Sequence, residues 1–206
     1  MIDFKLYLIT DRNLFKDRSS LSSALEEALQ GGVRALQLRE KDLCIRDMLE
    51  MAYELREITK KHGAKLFIND RVDVAKAVDA DGVHLGGSGI PPRAARKAAG
   101  GSMLIGVSSH SMEQAKNAER EGADFITIGP VYETPSKMRY GAPLGLDIIE
   151  KVKDGVTVPV IAVGGIKKER VGEVLKAGAH GIALISGILG SDDIYNETKE
   201  FMRLLK

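Results

Sequence analysis

The apolar positions of this chain fall into short runs separated by longer stretches of helical period. Strand-like runs occur at Phe4 to Thr10, Arg34 to Leu38, Lys65 to Ile68, Gly82 to Leu85, Met103 to Val107, Phe125 to Ile128, Val158 to Val163 and Gly181 to Ile185. Between them, apolar residues recur every three or four positions over Ser20 to Gln30, Arg46 to Lys61, Arg71 to Val78, Pro92 to Ala99, Met112 to Glu121, Gly145 to Lys153 and Glu169 to Lys176. A last helix over Asp193 to Leu205 closes the chain. Strict alternation of strand and helix predicts a parallel sheet with both faces covered. A weak repeat supports the count: at Gly31-Gly32-Val33, Ala80-Asp81-Gly82, Gly122-Ala123-Asp124 and Gly178-Ala179-His180 a small residue ends a helix just before a short strand. Eight such units, with no nucleotide-binding fingerprint after the first strand, favour a closed (β/α)8 TIM barrel, one domain over residues 1–206, over an open doubly wound sheet.

In a closed barrel the chemistry gathers where the strands end, because the βα loops converge there. The second strand continues as Ala35-Leu36-Gln37-Leu38-Arg39-Glu40-Lys41, and strand alternation sorts Gln37, Arg39 and Lys41 to one face and the two leucines to the other. Two cations two residues apart suit a phosphate or diphosphate; the plainer alternative is a pair of salt bridges with Glu40 and Asp42. Asn69-Asp70 follows the third strand, either as the cap of the next helix or with Asp70 as a Mg2+ ligand. Gly86 to Gly89 follow the fourth strand, and Ser108, Ser109 and His110 the fifth. His110 reads equally as a hydrogen-bonded structural residue or a proton shuttle, whereas His84, inside a strand, reads as core. His62 and His180 are expected at helix ends, against carbonyls.

Thr134-Pro135-Ser136-Lys137 lies in the stretch Pro130 to Pro143, long enough for a lid or binding loop rather than a connector. Gly164-Gly165-Ile166 and Ile185-Ser186-Gly187, after the last two strands, occupy the usual phosphate position of a TIM barrel; the alternative is two tight turns that need positive φ.

Composition narrows the ligand. Lys and Arg number 30 against 29 Asp and Glu, spread throughout, so no basic field gathers nucleic acid and any anion site is local. A single cysteine, Cys44, excludes an intrachain disulfide and a Cys-rich metal site, in keeping with a reducing cytoplasm. Met1 to Thr10 is too short to span a membrane and lacks a signal peptide's basic start, so it reads as the first strand and no membrane association is expected. A homo-oligomer stays open.

Taken together, Tyr7-Leu8-Ile9-Thr10-Asp11, Gln37-Leu38-Arg39-Glu40-Lys41, Ile68-Asn69-Asp70-Arg71, Asp81-Gly82-Val83-His84-Leu85-Gly86, Ile105-Gly106-Val107-Ser108, Gly129-Pro130-Val131-Tyr132 with Thr134 to Lys137, Gly164-Gly165-Ile166 and Ile185-Ser186 resemble the thiamine phosphate synthase family, which includes the thiazole tautomerases. The resemblance spans essentially the full chain. It implies a TIM barrel that couples two small phosphorylated substrates, a hydroxymethylpyrimidine pyrophosphate and a thiazole phosphate, to give thiamine phosphate and pyrophosphate. By the same resemblance, Arg39, Lys41, Asn69 and Lys137 hold the pyrophosphate and Asp70 its Mg2+. Gln37 and Ser108 orient the pyrimidine, and Thr134, Ser136, Gly165, Ile185 and Ser186 bind the thiazole phosphate. His110 matches the histidine that a tautomerase uses, and many synthases carry one there too. One position departs from the pattern. Synthases usually read Gly-Gln-x-Asp after the fourth strand, the aspartate being the second magnesium ligand, and here Gly86-Gly87-Ser88-Gly89 puts glycine in its place. The alternatives are a tautomerase and a phosphate-ligand-binding homologue without turnover.

Overall fold

The computed structural model describes residues 2–87, 89–134 and 142–206 and bears out the closed barrel. Strands β1 (Leu6–Ile9), β2 (Ala35–Leu38), β3 (Lys65–Asn69), β4 (Gly82–Leu85), β5 (Leu104–Ser109), β6 (Phe125–Ile128), β7 (Val160–Val163) and β8 (Gly181–Leu184) pair in sequence order, all parallel, and β8 closes on β1. Outside them run α1 (Arg18–Gly31), α2 (Ile45–Lys61), α3 (Val72–Ala77), α4 (Pro92–Ala99), α5 (Met112–Arg120), α6 (Asp147–Gly155), α7 (Lys168–Lys176) and α9 (Ile194–Leu204). No helix among the described residues is long and apolar enough to cross a membrane.

Several boundaries differ from the sequence pattern. β3 and β5 run on to Asn69 and Ser109, so Asn69, Ser108 and Ser109 are strand residues and not loop residues. Their side chains are polar, but the ladder is made by the backbone, and Asn69 pairs with His84 and Ser108 with Thr127 in register. A 3-10 turn at Arg12–Leu14 and a one-turn helix α8 (Ser186–Leu189) fall in βα loops, where the apolar period is too brief to announce a helix.

The core has two layers. Outward-facing Leu6, Leu8, Leu36, Leu38, Leu66 and Ile68 pack beneath the helices and are almost fully buried. Inside the barrel, Phe4, Tyr7, Phe67 and Phe125 form a compact aromatic plug with ring centroids 5.3–5.7 Å apart, mostly edge to face. Two strand glycines make room for it. A Cβ on Gly82 would lie 2.4 Å from Phe67 Cε1, and one on Gly106 would lie 2.3 Å from Phe125 Cζ.

The recurring Ala-Asp boundary has a physical cause at the amino-terminal mouth. Asp81 Oδ2 accepts the Leu66 N–H at 2.8 Å and Arg56 at 2.6 Å; Asp124 Oδ2 accepts the Ile105 N–H at 2.7 Å and Arg96 at 2.6 Å. Each carboxylate entering one strand thereby satisfies the first amides of the strand before it, and an arginine from a helix neutralises the charge.

Candidate functional site

At the opposite mouth, β2 delivers Gln37 into the barrel and Arg39 and Lys41 onto the rim. Gln37 is buried, Arg39 half-buried and Lys41 exposed. The salt bridges that would make these two cations merely structural do not form. Glu40 and Asp42 are engaged instead by Arg12, from the turn after β1: its main-chain N–H donates to Glu40 Oε1 at 3.1 Å, its Nε lies 3.8 Å from Glu40 Oε2, and its guanidinium pairs with Asp42. Thr10 secures the same junction by accepting the Arg39 N–H at 2.9 Å. Among the described residues, Arg39 and Lys41 have no ion-pair partner. Burial pushes the Glu40 carboxyl above its usual range, opposed by hydrogen bonds from Thr10 and Arg12.

Asp70 follows β3 with φ at +58°, an uncommon conformation that Asp tolerates better than most residues. Its main-chain N–H donates to the His84 carbonyl at 2.9 Å. The side chain is equally fixed: Oδ1 accepts the Gly86 N–H at 2.7 Å and Oδ2 accepts the Asn69 amide at 2.8 Å. The pair does not cap α3, whose N-cap position is Arg71 with no side-chain cap. Each carboxylate oxygen retains a further acceptor site, and no cation pairs with Asp70 among the described residues. Gly89 sits directly over it, since a Cβ there would come 2.6 Å from Oδ1. No cluster of three or more His, Cys, Asp or Glu able to hold a metal occurs among the described residues. One carboxylate suits a Mg2+ that brings phosphate oxygens and water with it, rather than one caged by protein alone.

Between β2 and β6 the barrel interior carries a chain of polar contacts. Gln37 Nε2 donates to Tyr7 Oη at 2.9 Å, and Tyr7 Oη lies 3.5 Å from His84 Nδ1. His84 Nε2 lies 3.0 Å from Ser108 Oγ and 3.4 Å from Thr127 Oγ1. Burial, with a smaller contribution from the Arg39 charge, brings the His84 imidazole down to about 3, so it is neutral at physiological pH. Burial also pushes the Tyr7 phenol well above its ordinary value. Tyr7 and Thr127 are polar groups of the barrel interior to which the sequence reading gave no role, and His84, read there as core, is buried among them. Their signal was alternation, which turns Tyr7, Gln37, His84, Ser108 and Thr127 to the same inner face.

His110 is exposed, and its Nδ1 donates to the Gly129 carbonyl at 2.5 Å, outside the inner chain. His62 does not bond a helix carbonyl through its ring but lies with Nε2 3.4 Å from Glu26 Oε1.

The loops after β6 and β7 are joined. Tyr132 N–H donates to the Gly164 carbonyl at 3.0 Å, Arg170 donates to the Gly165 carbonyl at 2.8 Å, and the Arg170 guanidinium stacks 4.2 Å from the centre of the Tyr132 ring. Gly164 and Gly165 have φ of 100° and 65°, so the positive-φ requirement is real. Packing demands glycine as well, for a Cβ on Gly165 would come 2.6 Å from the Glu133 carbonyl oxygen. The stretch Pro130 to Pro143 is closed at its base, where Leu144 N–H donates to the Pro130 carbonyl at 2.8 Å and Gly145 N–H to the Val131 carbonyl at 3.1 Å. Thr134 is described and half-buried; Ser136 and Lys137 lie outside the described residues. Ile185 holds the N-cap position of α8, with Ser186 exposed beside it.

Comparison with known proteins gives a consistent result. Residues 6–188 match the family model described as thiamine monophosphate synthase. The chain is 44% identical over 206 residues to the thiamine-phosphate synthase of Halalkalibacterium halodurans, covering 100% of this chain and 97% of that one. It is 43% identical to that of Clostridium novyi, covering 96% and 97%. Among solved structures, thiamine phosphate pyrophosphorylase from Pyrococcus furiosus superposes with a TM-score of 0.89 at 41% identity, covering 98% of this chain and 95% of that one. A 3-hexulose-6-phosphate synthase, 19% identical with a TM-score of 0.73, shares the fold.

Proposed function

The chain belongs to the thiamine monophosphate synthase family, and from that premise we propose that it is a thiamine-phosphate synthase, a transferase that joins hydroxymethylpyrimidine pyrophosphate to a thiazole phosphate. The reaction breaks the bond between the pyrimidine methylene carbon and the diphosphate oxygen, whose electron pair leaves with pyrophosphate. The thiazole ring nitrogen then supplies the pair for the new carbon–nitrogen bond. That nitrogen carries no proton, so little general-base chemistry is required.

The observation that carries this reading is the diversion of Glu40 and Asp42 to Arg12, which leaves Arg39 and Lys41 without carboxylate partners among the described residues. Cations held at a rim without counter-ions attract a polyanion and neutralise charge as it develops on the leaving group. Arg39, Lys41, Asn69 and Lys137 are the residues assigned to the pyrophosphate. Asp70 would hold Mg2+ beside it, and the ion when bound supplies charge neutralisation to the phosphate oxygens. Gln37 and Ser108 orient the pyrimidine from within the barrel. Thr134, Ser136, Gly165, Ile185 and Ser186 receive the thiazole phosphate, a role supported by their lying after β6, β7 and β8 and by the short helix α8, where barrels of this kind commonly bind phosphate. A tautomerase, which holds no pyrophosphate, gives no task to Arg39 and Lys41, which are without an ion-pair partner among the described residues.

The test is a pyrophosphate-release assay with purified protein and both substrates across a Mg2+ titration. Release that requires both substrates and rises with Mg2+ is expected. Isomerisation of a thiazole carboxylate phosphate without pyrophosphate, or saturable binding with neither product, would overturn the assignment.

A further inference from the structure

Resting on the synthase reading, we infer that Arg170, with the Tyr132 ring stacked against it, is a positioning residue for the thiazole phosphate: it locks the turn after β7 so that the main-chain N–H groups of Gly165 and Ile166 keep fixed directions for phosphate oxygens.

Both carbonyls of this turn are occupied. Gly164 O accepts the Tyr132 N–H at 3.0 Å, and Gly165 O accepts Arg170 Nη1 at 2.8 Å. In a planar trans peptide the carbonyl and the N–H that follows it point to opposite sides, and both peptides here are trans. Fixing the Gly164 carbonyl therefore fixes the Gly165 N–H, and fixing the Gly165 carbonyl fixes the Ile166 N–H. Each N–H is turned away from the group that holds its carbonyl, and neither has an acceptor among the described residues. Ile166 is itself buried, where a main-chain N–H is ordinarily paired. A phosphate oxygen supplies the missing acceptor.

The charge of Arg170 is not spent on an ion pair. Lys168, two residues earlier on α7, is held by Glu197 at 2.9 Å and by Glu200, whereas Arg170 has no carboxylate partner among the described residues. Its guanidinium instead spans the Gly165 carbonyl and the face of Tyr132, whose hydroxyl donates to Glu173 on the same helix at 2.5 Å. A cation in the first turn of a helix opposes the helix dipole, and such local violations are expected where function constrains a residue. One side chain thus joins the loops after β6 and β7, to which the thiazole phosphate is assigned. Arg39, Lys41 and Asp70 follow β2 and β3, across the closed barrel from β6 and β7, so the clasp acts on one substrate and not on the other.

The experiment compares wild type, Arg170→Ala and Arg170→Lys in the pyrophosphate-release assay, for kcat and the KM of each substrate, and by calorimetric titration with thiazole phosphate alone, with Tm alongside. Arg170→Ala is expected to raise the KM of thiazole phosphate by at least about tenfold. The KM of hydroxymethylpyrimidine pyrophosphate should stay within about twofold, and Tm should fall by no more than about 4 °C. Arg170→Lys keeps a charged donor for the Gly165 carbonyl and is expected to lie between wild type and alanine. A thiazole phosphate KM within about twofold of wild type in Arg170→Ala, or an equal rise in both KM values, overturns the inference while the synthase reading stands. A wild-type protein that releases no pyrophosphate overturns the synthase reading, and the titration then decides the clasp. A dissociation constant at least about tenfold weaker in Arg170→Ala upholds it, and an unchanged constant or no binding by wild type ends it.

Discussion

The main-chain N–H of Arg12 donates to Glu40 at 3.1 Å, which binds the turn after β1 to the end of β2 and turns the acidic residue of Gln37-Leu38-Arg39-Glu40-Lys41 away from its cationic neighbours. The electrostatics of the rim follow from this one bond and the guanidinium beside it. A carboxylate adjacent in sequence to Arg39 and Lys41 is consumed elsewhere, and neither cation has an ion-pair partner among the described residues.

Arg39→Ala is accordingly expected to lower pyrophosphate release by at least about tenfold, the scale of one lost charge-assisted contact to a polyanion. Stability should change by no more than about 0.5 kcal/mol, because Arg39 supports no ion pair among the described residues. Steady-state turnover together with chemical denaturation checks both halves; an unaltered rate removes Arg39 from the mechanism.

Gly89→Asp introduces a second carboxylate whose Cβ begins 2.6 Å from Asp70 Oδ1. Without metal, two like charges in contact should lower Tm, since Asp70 must shift and lose its Gly86 or Asn69 bond. With Mg2+ the two carboxylates share an ion, so the variant should show a larger Mg2+-induced rise in Tm than wild type and a tighter apparent metal affinity. Thermal melts across a Mg2+ series read this directly, and an identical Mg2+ response in both proteins counts against Asp70 as the ligand.

His84 gives the stability a slope with pH. Its folded value of about 3 lies below the ordinary imidazole value of 6.5, so between those limits the unfolded chain binds a proton that the folded protein refuses. Stability from this group is complete above pH 6.5 and is lost on acidification, by up to about 1.4 kcal/mol per pH unit. His84→Gln should be the less acid-sensitive protein over this range in urea denaturation. Parallel wild-type and variant profiles would contradict a neutral, buried imidazole.

Glu40 acts in the opposite sense. Its carboxyl is raised above the ordinary value of 4.5, so the folded state holds the proton longer, and its contribution falls as pH rises through and just above that value. The stability of Glu40→Gln relative to wild type should therefore improve as pH rises through this window. Denaturation midpoints at closely spaced pH values measure it, and a stability of Glu40→Gln that falls relative to wild type as pH rises would reverse the assignment.

The amino-terminal mouth should report stability without activity. Arg56 is nearly buried and donates to Asp81 at 2.6 Å and to the Asp79 and Ala64 carbonyls. Arg56→Ala strands these acceptors and is expected to cost about 2 kcal/mol, while kcat and KM of the folded enzyme stay near wild type. A selective loss of kcat at unchanged Tm would show that the two mouths are coupled.

The residues alone determined a good deal. Alternating short apolar runs and helical periods dictated eight βα units, because a strand buried on both faces and a helix with one apolar stripe have different repeats. β4, β6 and α4 fell where the pattern put them. Gln37, Arg39, Lys41, Asn69, Asp70 and Ser108 were legible as polar groups at strand ends, where a barrel gathers its chemistry. The tertiary structure decided who pairs with whom. Whether Glu40 neutralised Arg39 depended on Arg12, nearly thirty residues earlier. His84 read as core because its partners Tyr7 and Ser108 stand on other strands, and only closure of the barrel brings them within hydrogen-bonding distance. Local period is written into neighbouring residues; charge compensation and buried polar contacts are properties of groups that meet only when the chain has closed on itself.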